Sequence, residues 1–82
     1  MEVNYSKQVI KYLSKAPKNI KEKFESAIVE IKTGKGDIIE LVGQEGTYRY
    51  KFYGYRIIFS IDPIANVLNI IKFAPRGDVY KK

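Results

Sequence analysis

The 82-residue sequence contains no cysteine and no histidine. Without cysteine there is no disulfide staple, no thiolate metal site and no thiol nucleophile. Without histidine the usual general base and the commonest metal ligand are missing too. Tryptophan is absent and no apolar run is longer than a few residues, so no segment reads as a membrane span. The first residues carry no apolar signal-peptide core, which points to a cytoplasmic protein with no membrane partner. Also missing are a paired-carboxylate motif, a glycine-rich phosphate loop and a serine with a histidine to activate it. A metal site would have to come from scattered Asp and Glu, so neither metal nor cofactor is expected. The length allows one domain, residues 1–82, which buries only roughly 60% of the surface its unfolded chain exposes. An apolar share of 45% suffices for a globular core and argues against a disordered chain.

What is present is positive charge, unevenly placed. Fifteen Lys and Arg against nine Asp and Glu give a net charge of +6. Residues 1–46 contribute only +1 of this, and residues 47–82 contribute +5. All three arginines (Arg49, Arg56, Arg76) and five of the seven tyrosines lie in the second part. A basic, aromatic-laced half is the footprint of a protein that meets a polyanion, nucleic acid first among them. The plainer alternative is a solvated sheet face whose cations are each paired with an acid. Only Asp62 and Asp78 are available for that in the second half.

The spacing of apolar residues predicts an α+β fold: an N-terminal helical hairpin packed on a three- to four-stranded antiparallel sheet. Glu2 to Tyr5 alternates as an edge strand would. Ser6 offers an N-cap, and Val9, Ile10 and Leu13 follow at helical spacing. Ala16-Pro17 ends that helix. Ile20, Phe24, Ala27, Ile28 and Ile31 then form the clearest amphipathic stripe in the chain, stopped by Gly34 and Gly36. Asp37 to Leu41 reads as either a loop or a short strand. Thr47–Tyr53, Tyr55–Ile61 and Val67–Phe73 are β-branched and aromatic, with the first turn borrowing Tyr53 or Tyr55 beside Gly54. Asp62-Pro63 with Asn66 suits the second turn.

Alternation on the first of these strands puts Arg49, Lys51 and Tyr53 on one face, and Tyr48, Tyr50 and Phe52 on the other. Arg56 opens the next strand, Lys72 lies on the third, and Arg76 follows it. Arg49, Arg56 and Arg76, with Lys51, are candidates for a phosphodiester clamp at one edge of the sheet. Tyr80 follows a charged turn and is either a C-terminal anchor or a base-stacking or proton-transfer group.

The ordered set Leu41-Val42-Gly43, Tyr48 to Lys51, Gly54 to Phe59 and Arg76 to Lys81 resembles the RelE/ParE toxin superfamily over nearly the whole chain. The resemblance implies a toxin of a type II toxin–antitoxin pair, held by an acidic RelB-like antitoxin. RelE-like members enter the ribosomal A site and cleave mRNA without a metal, by attack of a ribose 2′-hydroxyl on the adjacent phosphate. By that resemblance the catalytic residues are Lys51, Arg56, Arg76 and Tyr80, with Arg49, Lys51, Arg56, Lys72 and Arg76 on the RNA. Arg49 stands where active members often carry lysine, and arginine does not readily give up its proton. The base role therefore falls to Lys51, while the general acid stays open between Arg76 and Tyr80. The alternatives are a ParE-type toxin that poisons DNA gyrase without nuclease chemistry, or a degenerate toxin that only binds its antitoxin.

Overall fold

The chain enters its first helix at Ser6, whose backbone is extended (φ −68°, ψ 164°) and whose hydroxyl accepts a hydrogen bond from the Val9 N–H at 3.2 Å. That bond satisfies one of the open donors of the first turn. The computed structural model describes residues 1–75, in the order β1 (Glu2–Tyr5), α1 (Lys7–Ser14), α2 (Lys18–Thr33), β2 (Asp37–Glu40), β3 (Thr47–Phe52), β4 (Tyr55–Asp62) and β5 (Val67–Pro75). Pro17 separates the two helices, and Gly34 stops the second in the left-handed region at φ 72°. The stripe predicted on α2 is the face it buries: Phe24, Ala27, Ile28 and Ile31.

The strands form one five-stranded sheet in the order β1-β5-β4-β3-β2. It is larger than the three or four strands expected, and it is mixed. Asp37–Glu40 is a strand, antiparallel to β3, and β1 pairs with β5 in parallel. The helical hairpin explains the parallel pair. It carries the chain from one edge of the sheet to the other, and three antiparallel returns then bring β5 back beside β1 in the same direction.

β1 covers only the first part of β5, to the Tyr5–Ile70 pair. Beyond it, side chains of the first helix continue the ladder. Ser6 donates its hydroxyl to the Ile71 carbonyl at 2.6 Å, and its own N–H bonds the Ile70 carbonyl at 2.9 Å. The Gln8 amide then makes two 3.0 Å bonds to Phe73, donating to its carbonyl and accepting from its N–H. An open sheet edge is thereby satisfied without another strand.

The two faces of the sheet differ sharply. One packs on the helices through Tyr50, Ile57, Phe59, Leu68, Ile70 and Phe73, all buried. Phe73 is fully enclosed, with ring centroids of Phe24, Tyr12, Tyr55 and Phe52 at 4.7, 5.2, 5.3 and 6.1 Å. Across this face Phe24 of α2 meets the ring of Phe73 at 4.7 Å. A bulge between Ile58 and Phe59 makes this possible. Phe59 pairs with Ile70 and Ile58 with Lys72, so Ile71 is an extra residue and Phe73 returns to the core side.

Near the C-terminus of α2, Tyr50 hydrogen-bonds the Glu30 carboxylate, and Gly36 closes over both. A β-carbon on Gly36 would stand 2.5 Å from Tyr50 Cε1, and its φ of +95° suits glycine. Burial, with the neighbouring Glu30 charge next, raises the Tyr50 pKa from 10.0 to about 12.

Two measurements follow from this packing. Phe24→Ala removes a ring from the core and should cost ~3–5 kcal/mol, a large part of the stability of a small domain. A urea midpoint equal to that of the wild type would contradict it. For Tyr50 the folded state prefers the neutral phenol. Its contribution is therefore complete below pH 10.0 and is lost as the pH climbs through about 12. Subtracting the phenolate absorbance titration of Tyr50→Phe from that of the wild type should leave one tyrosine ionising near 12. A difference curve centred at 10.0 is the contrary result.

Candidate nucleic-acid interface

The face turned away from the helices takes its register from the β3–β4 hairpin. Its turn has two residues, Tyr53 and Gly54, both at positive φ (45° and 77°), the geometry that suits a tight right-twisted hairpin. Tyr53 is therefore the residue the turn borrows. Its left-handed backbone also takes it off the cationic face where simple alternation put it. Its ring instead lies beside α2, with Lys23 Nζ 4.9 Å from the ring centroid.

The short turn sets Lys51 directly opposite Arg56. Reading across the sheet, Asp37, Lys51, Arg56 and Ala74 make one row, and Ile39, Arg49, Ile58 and Lys72 make the next. Directly paired Cα atoms in such ladders are ~4.5–5.5 Å apart, so the working groups of Lys51 and Arg56 fall within reach of a single phosphate. Lys51 is exposed, and Arg56 is half-buried with its Nε sunk below the surface. Lys72 is half-buried and shares a row with Arg49, two strands away across Ile58. Lys51 and Arg56 are thus brought together, Arg49 lies one row along, and Lys72 is set apart from Lys51.

Arg49 is the exception to the picture of a solvated cationic face. It is 9% exposed, and its Nη2 stands 3.6 Å from Asp37 Oδ1. The pairing acid is a residue of the first half, not Asp62, and Asp78 lies outside the described residues. Asp62 is occupied in its own turn, its Oδ1 accepting from the N–H groups of Ile64 and Ala65 at 3.1 Å. Because Asp37–Leu41 reads as loop or strand, Asp37 cannot be placed beside Lys51 until β2 is seen to pair with β3. Gln8 is the other residue that the sequence pattern did not single out. Its two-point hydrogen bond to a strand 65 residues away in the chain has no local signature.

The face is also less uniformly polar than alternation suggests. Ile39 and Ile71 are exposed on it and Ile58 is half-buried, so the cations sit beside an apolar strip. Such a surface can hold a phosphate backbone through its charges while sugar or base edges meet the isoleucines. Arg76 and Tyr80 lie outside the described residues. β5 closes at Pro75, opposite Tyr55, one position beyond the Arg56–Ala74 pair, so the described chain ends at the Lys51–Arg56 side of the sheet. Among the described residues, no group of three or more Asp and Glu side chains is placed to hold a metal ion, and no helix is long and apolar enough to cross a membrane.

No protein-family model and no curated sequence matches the chain, but solved structures do. A chain of the archaeal RelE–RelB complex of Pyrococcus horikoshii is 32% identical, with a TM-score of 0.74 over 93% of this chain and 94% of that one. The RelB–RelE antitoxin–toxin complex of Methanococcus jannaschii matches at 21% identity and TM-score 0.73, covering 94% of each chain. The isolated Escherichia coli RelE toxin matches at 19% identity and TM-score 0.75, over 90% of this chain and 82% of that one. The last two speak for the fold alone. The archaeal likeness extends to sequence along nearly the full length of both chains, and with it the chain belongs to the RelE family.

Proposed function

We propose that this protein is the toxin of a type II toxin–antitoxin pair, and that it cleaves mRNA in the ribosomal A site. The observation that carries this reading is the direct Lys51–Arg56 pairing on the helix-free face, with Arg49 one row away. Family membership supports it, since the neighbouring structures include RelE toxins bound to RelB antitoxins. An antitoxin for this chain would be acidic, matching the +5 balance of residues 47–82.

The chemistry is an internal transfer at phosphorus. The ribose 2′-oxygen forms a bond to the adjacent phosphorus as the bond to the 5′-oxygen breaks, leaving a 2′,3′-cyclic phosphate and a 5′-hydroxyl. Lys51, acting as the neutral amine, takes the 2′-proton. Arg56 and Arg49 balance the extra negative charge on the phosphorane oxygens, a contribution that matters most in the transition state. The 5′-oxygen takes its proton from the C-terminal segment. Tyr80 has a hydroxyl proton to give there, whereas Arg76 supplies charge because a guanidinium does not give up its proton.

Arg56→Ala should reduce cleavage by on the order of 100-fold and relieve growth arrest while leaving the fold and antitoxin binding intact. Tyr80→Phe keeps a stacking ring and removes the proton, so a large loss assigns proton transfer and a small one assigns stacking. Primer extension on mRNA from programmed ribosomes reads both variants. Intact transcripts with the wild type, together with accumulating gyrase–DNA adducts, would replace the nuclease reading with a gyrase-poisoning one.

A further inference from the structure

We infer that Asp37, at the outer edge of the sheet, is the positioning residue for Arg49: it draws that guanidinium along the helix-free face into line with Lys51 and Arg56. The effect on cleavage rests on the nuclease reading above, whereas the geometry rests on the ion pair and the strand register.

Asp37 and Arg49 do not face each other across the strands. The register sets Ile39 opposite Arg49, and Asp37 opposite Lys51. The contact is therefore diagonal, a spacing that long side chains span. To stand 3.6 Å from Asp37 Oδ1, Arg49 Nη2 must extend along its own strand toward the position of Lys51. The carboxylate thus holds the Arg49 guanidinium toward the Lys51–Arg56 row. No other carboxylate among the described residues lies within ion-pair distance of Arg49.

The energetics favour this arrangement over a casual surface contact. Three cations on two neighbouring rows repel one another, and a carboxylate beside them offsets part of that repulsion. The Arg49 side chain is only 11% exposed, against 52% for Asp37. The arginine end is thereby shielded from the solvent screening that makes most surface pairs weak. A guanidinium carries five N–H donors, so a pair made through one Nη leaves others for a phosphate. Fixing the group in advance removes rotamer freedom that would otherwise be lost when the phosphate arrives.

The test compares cleavage by Asp37→Ala, Asp37→Glu and Arg49→Ala proteins and the Asp37→Ala/Arg49→Ala double variant. Asp37→Ala should lower kcat on the order of 10- to 100-fold, with KM unchanged or reduced because the face gains net positive charge. Asp37→Glu should restore most of the rate. In the Arg49→Ala background, Asp37→Ala should cost nothing further, since its effect passes through Arg49. An unchanged kcat, or losses that simply add in the double variant, overturns the inference.

A second readout does not depend on catalysis. The guanidinium nitrogen signals of Arg49 should be distinct and slowly exchanging by NMR in the wild type, and averaged in Asp37→Ala. Averaged signals in the wild type defeat the positioning role whatever the ribosome assay shows. Distinct signals in a wild type that cleaves nothing uphold the positioning role and defeat the nuclease reading.

Discussion

Phe73 is the residue on which both faces of the sheet depend. Its ring is fully buried among Phe24, Tyr12, Tyr55 and Phe52, and so joins both helices to β3, β4 and β5. Simple alternation from Leu68 and Ile70 would send residue 73 to the opposite face, where no helix covers it. The extra residue at Ile71 reverses that parity. The Gln8 amide then holds the Phe73 backbone through both its N–H and its carbonyl, and Ser6 holds the Ile71 carbonyl. The first turn of α1 thus acts as a continuation of β1.

With all the helical packing on one side, the other side of the sheet is free to carry charge. A rigid sheet suits the proposed chemistry because phosphate-binding groups must be held in place before the reaction begins. The two-residue Tyr53-Gly54 turn sets Lys51 against Arg56 with no slack in register, and the same positive-φ geometry takes Tyr53 away toward Lys23. At the other side of β3, edge strand β2 supplies Asp37, which balances the cationic row rather than extending it. The surface is therefore a graded one: a buried and paired arginine, an exposed lysine, a half-buried arginine, and isoleucines alongside.

Membership of the RelE family rests on likeness along almost the whole chain to an archaeal relative, together with a fold shared with more distant toxins. The shared fold does not by itself fix the chemistry, which lives in a few side chains placed on it. In the nuclease reading proposed for this chain those are Arg49, Lys51 and Arg56 on neighbouring strands, followed by Arg76 and Tyr80 beyond β5.

Local patterns in the sequence determined much of this protein. The N-cap at Ser6, the break at Pro17, the buried stripe of α2, the three long strands and the split between aromatic and cationic faces of β3 all follow from spacing and backbone preference. These are properties of neighbours along the chain, and neighbours are what a sequence displays. What only the tertiary structure decided was non-local: β2 as a paired strand, the parallel β1–β5 edge, the bulge at Ile71, and Gln8 bound to Phe73. The most consequential of these is Asp37 beside Lys51, because it changes Arg49 from a free cation into a held one. Each depends on which strand lies next to which. That choice is made by the burial of the whole apolar face at once, a quantity that no short stretch of residues contains.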